Sequence, residues 1–291
     1  MSDPRFGPAG SCERSAAEKI KSTEKLLEWL AAQGLTAFEY QCGRGVMIKE
    51  PKGILIGDKA KECGIKLSIH APYFISLASQ EEEKRLNSIN YIFQSAQAAD
   101  WMGADRIVVH PGGLGKKSRE EATALARETL AMAQQYLDEH ELGKIHICPE
   151  VMGKINQLGD LGEVLEFCTI DDRFIPCVDF GHLNSRMQGT MDYVKALDEI
   201  ENKLGIDRLR SMHIHFSKIE YTAGGEKKHL TFADEIYGPP FEPLIDEIIR
   251  RGMHPTVICE SAGTQTDDSI AMMRYYESLA SASPAADGGL K

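Results

Sequence analysis

Little in this 291-residue chain is long, apolar and uninterrupted. No run of about 18 apolar residues occurs, so no membrane-spanning helix is expected. The opening MSDPRFGPAG has no apolar core and does not read as a secretory signal. Cysteine is sparse: seven residues, at 12, 42, 63, 148, 168, 177 and 259, never as a CxxC pair. An odd, scattered set argues against a disulfide framework or a thiolate-rich zinc site and fits a reducing, cytoplasmic setting. Positive charge is in deficit, with 33 Lys and Arg against 44 Asp and Glu and a net charge of −11. Binding of nucleic acid by bulk charge is therefore disfavoured, while a local basic face stays open. A glycine-rich dinucleotide turn is also missing, because GPAGS after the first apolar run is a poor match to GxGxxG.

What is present is alternation. Short β-rich runs occur at Arg5–Pro8, Ala37–Cys42, Leu67–His70, Arg106–His110, Lys144–Glu150, Phe174–Asp179, Arg210–His215 and Thr256–Glu260. Amphipathic stretches lie between most of them, as at Ser22–Gln33, Gln80–Met102, Arg119–His140, Asp192–Leu204 and Phe241–Arg251. Strands alternating with helices imply parallel βαβ units. Runs such as IVVH, IHIC and TVIC are nearly continuous in apolar residues, as strands buried on both faces should be. Eight units of about 36 residues each predict an α/β chain folded as a single (β/α)8 TIM barrel over 1–280. Residues 281–291 read as a frayed tail. The polar, glycine-containing stretch Glu220–Pro240 reads as a long functional loop after strand seven.

Almost every strand from the third onward closes on a residue that can bind a metal. These are His70, His110, Glu150, Asp179 with His182, His213 with His215, and Glu260, at separations of 29 to 47 residues. In a barrel the C-terminal strand ends converge on one face, so residues far apart in sequence meet there. Each has a plainer reading, because a lone His is commonly a hydrogen-bonded core residue and an acid closing a strand is commonly a helix N-cap. The set across six strands favours metal. Imidazole with carboxylate suits Zn2+, Mn2+ or Fe2+. The donors exceed what one tetrahedral ion needs, so two or more ions bridged by a carboxylate is the economical reading. His140, His146 and His254 lie away from the strand ends and read as structural.

The stretches LSIHAPYFISLAS, VVHPGG, PEVMGK, CVDFGHLNS, MHIHFSK and VICES, in this order, resemble the endonuclease IV family of zinc-dependent apurinic/apyrimidinic endonucleases, in the xylose-isomerase-like barrel superfamily. The resemblance implies a trinuclear zinc site. His70, His110 and Glu150 would hold one ion. Glu150 would bridge to a second, held also by Asp179, His213 and Glu260, and His182 with His229 would hold a third. It also implies hydrolysis of DNA 5′ to abasic sites, with Glu150 orienting the attacking water and Glu260 accepting its proton. Tyr73, Arg44 and Lys218 would meet the substrate, an abasic duplex, and the chain would act as a monomer.

Three stretches depart from the family pattern, and one of them is the substrate loop after strand two, which here reads QCGRGVMIKEP. The loop GGEKKHLTF places Lys227 where the family has an Asp, or Glu226 if the loop shifts by one residue, so two ions are expected to bind firmly and the third weakly or not at all. His215 stands where the family has another residue, either as a substitute ligand or as a donor behind the ligands. Lys49, Lys116, Lys117, Lys154, Arg186, Lys227 and Lys228 also fall in the loops of the same face, where they could meet phosphate. Two other classes stay open. One is a sugar isomerase or epimerase of the same superfamily, using Glu150 and Glu260 for proton transfer at carbon. The other is a barrel that binds metal or nucleic acid without catalysis.

Overall fold

The computed structural model describes residues 3–282. Nearly all of the expected tail, 281–291, lies outside the described residues. The first seven strands are β1 (Arg5–Pro8), β2 (Ala37–Gln41), β3 (Lys66–His70), β4 (Arg106–Val109), β5 (His146–Pro149), β6 (Cys177–Asp179) and β7 (His213–Phe216). A hairpin of β8 (Ile219–Thr222) and β9 (Gly225–His229) comes next, and β10 (Thr256–Cys259) is the last strand. The barrel strands form two parallel sheets, ordered β1-β10-β7-β6 and β2-β3-β4-β5. Isolated parallel bridges at Ala9–Glu39 and Glu150–Cys177 join them, so the eight strands close into a (β/α)8 ring.

The sequence dictates these elements locally. β4 (RIVV), β7 (HIHF) and β10 (TVIC) are buried at every position, because the barrel interior covers one face and the helical shell the other. The shell holds α1 (Glu13–Ala17), α2 (Thr23–Ala32), α3 (Glu50–Glu62), the long helices α4 (Glu82–Met102) and α5 (Arg119–Glu139), which pack side by side, and later α8 (Tyr193–Leu204), α9 (Ile206–Arg210) and α10 (Glu242–Arg250). α5 starts with a reciprocal capping box, Ser118 to Glu121, and α6 (Leu161–Phe167) with another, Asp160 to Glu163. α4 ends on Gly103, whose φ of 66° is left-handed and favours glycine. The last helix, α11 (Gln265–Ala282), packs on β1 and β10 at the point of closure.

Two features differ from the sequence reading. Several strands are shorter than expected: β4, β5 and β10 stop just before the site residues His110, Glu150 and Glu260, while β5, β6 and β7 start later than the sequence reading placed them. The segment Glu220–Pro240, expected as an irregular loop, begins with the β8–β9 hairpin. Gly225, at a φ of 90°, makes its turn, and a Cβ there would stand 2.2 Å from the Gly153 carbonyl oxygen. Glu226 N–H donates to that same carbonyl, which ties the hairpin down over the barrel mouth.

Gly7 tests the tightness of the ring. A Cβ at this position of β1 would lie 1.7 Å from the Ala37 carbonyl oxygen of β2. Backbone cannot rotate away as a side chain can, so Gly7→Ala is expected to destabilise the fold by about 3 kcal/mol, the upper end for overpacking. Urea unfolding of the two proteins measures this, and an unchanged midpoint would refute it.

Candidate metal centre

The C-terminal ends of the strands bring the donors together as the barrel requires. His70 closes β3, His110 follows β4, Glu150 follows β5, Asp179 closes β6, His215 lies within β7 and Glu260 follows β10. Five groups of possible donors form among the described residues, each with its ligand atoms within 4.8 Å of one another. Three face the mouth: His70, His110 and Glu150; Glu150, Asp179, His215 and Glu260; and His182, Glu226 and His229. The other two are Glu39, His70, His215 and Glu260, and Cys177, His213 and His215.

Glu150 is common to the first two groups and is fully buried. Its Oε2 lies 2.9 Å from His110 Nε2 and 3.4 Å from His70 Nε2. Its Oε1 lies 3.0 Å from His215 Nδ1 and 3.7 Å from His182 Nδ1. One carboxylate therefore turns its two oxygens toward two sets of nitrogens, which is the geometry of a bridge between ions. Burial alone would raise its pKa, but His215 and His110 hold the carboxyl well below its usual range. Asp179 does two things. Its Oδ1 accepts the His182 N–H at 2.7 Å and so caps α7 (Phe180–Arg186). Its Oδ2 faces His182 Nδ1 at 3.2 Å without the alignment of a hydrogen bond. Among the described residues, Glu150 Oε2 and Asp179 Oδ2 are buried acceptors with no hydrogen-bond donor. Buried anionic oxygens without donors are costly unless a cation meets them.

Three of the rings are tied through Nδ1. His70 Nδ1 lies 2.8 Å from the Ala71 carbonyl, His182 Nδ1 3.1 Å from the Val151 carbonyl, and His229 Nδ1 2.9 Å from Ser217 Oγ. With the proton on Nδ1, His70 and His182 leave Nε2 free to face the carboxylates. Such anchoring orients metal-binding imidazoles. The donor chemistry and the unsatisfied oxygens both fit a divalent ion bound by nitrogen and oxygen.

The third group depends on the hairpin. Glu226 Oε2 stands 3.4 Å from His182 Nε2, and its Oε1 stands 3.9 Å from His229 Nε2. The weak third site was expected because Lys227 would sit there. Lys227 instead points outward and pairs with Glu220. β9 alternates its faces, so Glu226 and Lys227 must point opposite ways, and the bulge between Glu220 and Tyr221 sets the register.

A second correction concerns β7. The sequence reading gave the ligand position to His213, but the structure puts His215 there. Both side chains point inward because they are two residues apart. The register of β7 against β6 pairs His215 with Asp179 and His213 with Cys177, so His215 reaches the level of the site while His213 lies one layer below. His213 is fully buried, with Nε2 2.9 Å from Glu39 Oε2, and burial pulls its pKa down to about 4 despite that partner. Glu39 was missed at the sequence level. The signal was available: AFEYQ places one acid inside an otherwise apolar strand.

The proposed substrate residues divide. Tyr73 is 58% exposed beside the mouth, with Phe74 edge-on to it and also exposed. Arg44 is exposed. Lys218 is occupied, because its ammonium donates to the carbonyls of Phe232 and Asp234. Arg186 likewise holds the carbonyls of Met152 and Lys154. Lys228 pairs with Glu220. Among the described residues Arg44, Lys116 and Lys154 have no carboxylate partner. His140 bonds the Tyr136 carbonyl and His146 the Arg173 carbonyl, both away from the site.

Fold and site together define a parallel (β/α)8 barrel with metal-capable side chains at its C-terminal mouth. The chain belongs to the xylose isomerase-like TIM barrel family, whose model matches residues 27–276. An uncharacterised protein of Methanocaldococcus jannaschii is 33% identical over 282 residues, covering 94% of this chain and 97% of that relative. A probable endonuclease 4 of Acholeplasma laidlawii is 28% identical over 176 residues, which span 57% of this chain and 59% of that protein. Endonuclease IV from Thermus thermophilus is similar in structure, with a TM-score of 0.68 at 18% identity over 96% of this chain and 100% of its own. The 3-keto-D-glucoside 4-epimerase of E. coli matches with a TM-score of 0.68 at 14% identity over 95% of this chain and 100% of its own. At such identities the structural likeness speaks for the fold alone. Among the described residues no helix is long and apolar enough to cross a membrane.

Two expectations follow. Burial lowers the pKa of the site imidazoles, but the carboxylates around them outweigh it: His70 rises to about 9, and His182 and His215 also rise. Near pH 7 the metal-free site therefore holds protons that an ion must displace, and affinity should climb as pH rises toward 9. Calorimetry of zinc binding in two buffers of different ionisation heat should show net proton release, and identical heats would contradict it. The second expectation concerns Gly153, where a Cβ would stand 2.5 Å from Glu226 Cβ and 2.7 Å from His182 Cδ2. Gly153→Ala should spread the third group and lower bound zinc by one ion per chain, as read by elemental analysis.

Proposed function

We propose that the protein is a zinc-dependent phosphodiester hydrolase that cleaves DNA 5′ to abasic sites, as part of DNA repair. One observation carries this reading. Glu150 divides its two oxygens between two imidazole sets, with a third His-carboxylate group beside them, giving a cluster built for more than one ion. Phosphodiester hydrolysis uses such clusters because charge develops on both the attacking and the leaving oxygen. His70, His110 and Glu150 would hold one ion, Glu150 with Asp179, His215 and Glu260 a second, and His182, Glu226 and His229 a third. Bound zinc would supply Lewis acidity toward the phosphate and a water acidic enough to react near neutral pH.

The chain's own residues supply the rest. Glu150 would fix the position of the nucleophile. Glu260, at the open side of the site with Oε2 3.6 Å from His215 Nδ1, would take its proton. Tyr73 and Phe74 offer exposed rings at the rim on which an extruded nucleotide could stack. Arg44, Lys116 and Lys154 would meet the phosphates flanking it. The similarity to probable endonuclease 4 proteins supports this reading.

A second reading is favoured by one feature: Glu150 and Glu260 meet in one donor group, and such a pair with one or two ions would serve epimerisation at a carbon beside a carbonyl. A nicking assay separates the two. Zinc-loaded protein should cut a duplex with one abasic site on its 5′ side, leave a 3′-hydroxyl, and lose this activity to a chelator and to Glu150→Gln. Intact abasic duplex together with interconversion of a ketose and its epimer would overturn the hydrolase.

A further inference from the structure

We propose that Glu39 is a positioning residue that aims His215 at the metal site, forming a buried carboxylate–imidazole–metal relay. The inference rests on the metal reading above and extends it to a residue behind the cluster, on a strand that contributes none of the ligands proposed there.

His215 is fully buried and presents its two nitrogens to opposite sides. Nδ1 faces Glu150 Oε1 at 3.0 Å and Glu260 Oε2 at 3.6 Å. Nε2 faces Glu39 Oε1 at 3.1 Å. An imidazole that ligates through Nδ1 must carry its proton on Nε2. A carboxylate is an acceptor only, so a carboxylate behind Nε2 enforces that arrangement and locks the ring plane. Water, which both donates and accepts, would not choose between the two tautomers.

Glu39 lies close enough to His70 and Glu260 to be considered a ligand itself. Its hydrogen bonds assign it otherwise. Oε2 accepts from His213 Nε2 at 2.9 Å, from Ser68 Oγ at 2.9 Å and from His215 Nε2 at 3.3 Å. Oε1 accepts from Gln41 Nε2 at 3.3 Å. Four donors already meet this carboxylate, which has no solvent exposure, so it is satisfied as an acceptor without an ion. His213 gains a purpose by the same argument. Its Nδ1 has no partner among the described residues, and its one polar tie is the bond to Glu39. It helps to keep the Glu39 carboxylate fixed beneath His215.

Two measurements on the full chain test the proposal. The first is a long-range 15N–1H spectrum of the zinc-loaded wild type with labelled histidine. It should show His215 with zinc on Nδ1 and a proton retained on Nε2. Zinc on Nε2, or Nε2 without a proton, would overturn the inference whether or not any variant folds. The second is competitive zinc titration of Glu39→Gln, with thermal unfolding of the metal-free forms as the folding control. The amide offers one acceptor in place of two, so the ion held by His215 should bind about 10- to 100-fold more weakly. The others should change little. Unchanged affinity for every ion would overturn the role of Glu39 and leave the metal reading standing. A wild type that binds no zinc would overturn both.

Discussion

The fold places a fully charged carboxylate, Glu150, where water cannot reach it, and the rest of the site is a response to that fact. An ion in such surroundings must be paired or coordinated. Here it is ringed by four imidazoles from four different places in the chain: His70, His110, His182 and His215. Three of these rings are themselves buried and each has a further anchor: a backbone carbonyl for His70 and for His182, and Glu39 for His215. The network therefore grows outward from one glutamate until each shell satisfies the one inside it. Such a network is expensive to bury and is kept where chemistry requires it.

The architecture was legible in the sequence because its signal is repetitive. Eight apolar runs alternate with amphipathic stretches, and no other layering accommodates that order as simply. Most of the donors were legible for the same reason, since a polar residue closing an apolar strand stands out. Depth along a strand was harder to read. His213 and His215 share a face, and only the register of β7 against β6 and β10 decides which one reaches the mouth. The hairpin was missed because its residues, GEKKH, are charged and carry no alternation of apolar and polar positions. Glu226 and Lys227 could not be told apart without it. Glu39 gives a weaker signal because it sits inside β2, one layer beneath the strand ends where the donors cluster.

The same barrel serves nucleases and sugar epimerases, so the fold does not choose between them. The choice rests on the number of donors and on what surrounds the mouth. On the proposed reading, the exposed aromatic rings and the cations without carboxylate partners at the rim would meet a polyanionic substrate.

The ring is closed by two isolated bridges, at Ala9–Glu39 and at Glu150–Cys177. These are the thin seams between the two four-stranded halves of the barrel. The carboxylates of Glu39 and Glu150 start from the half that contains β2 to β5, and the histidines they grip, His213 and His215, belong to the other. The side chains that build the site thus also stitch the halves together where backbone pairing is least. An ion between Glu150 and Asp179 would add a further stitch across one seam. An occupied site would then also bind the two half-barrels to each other.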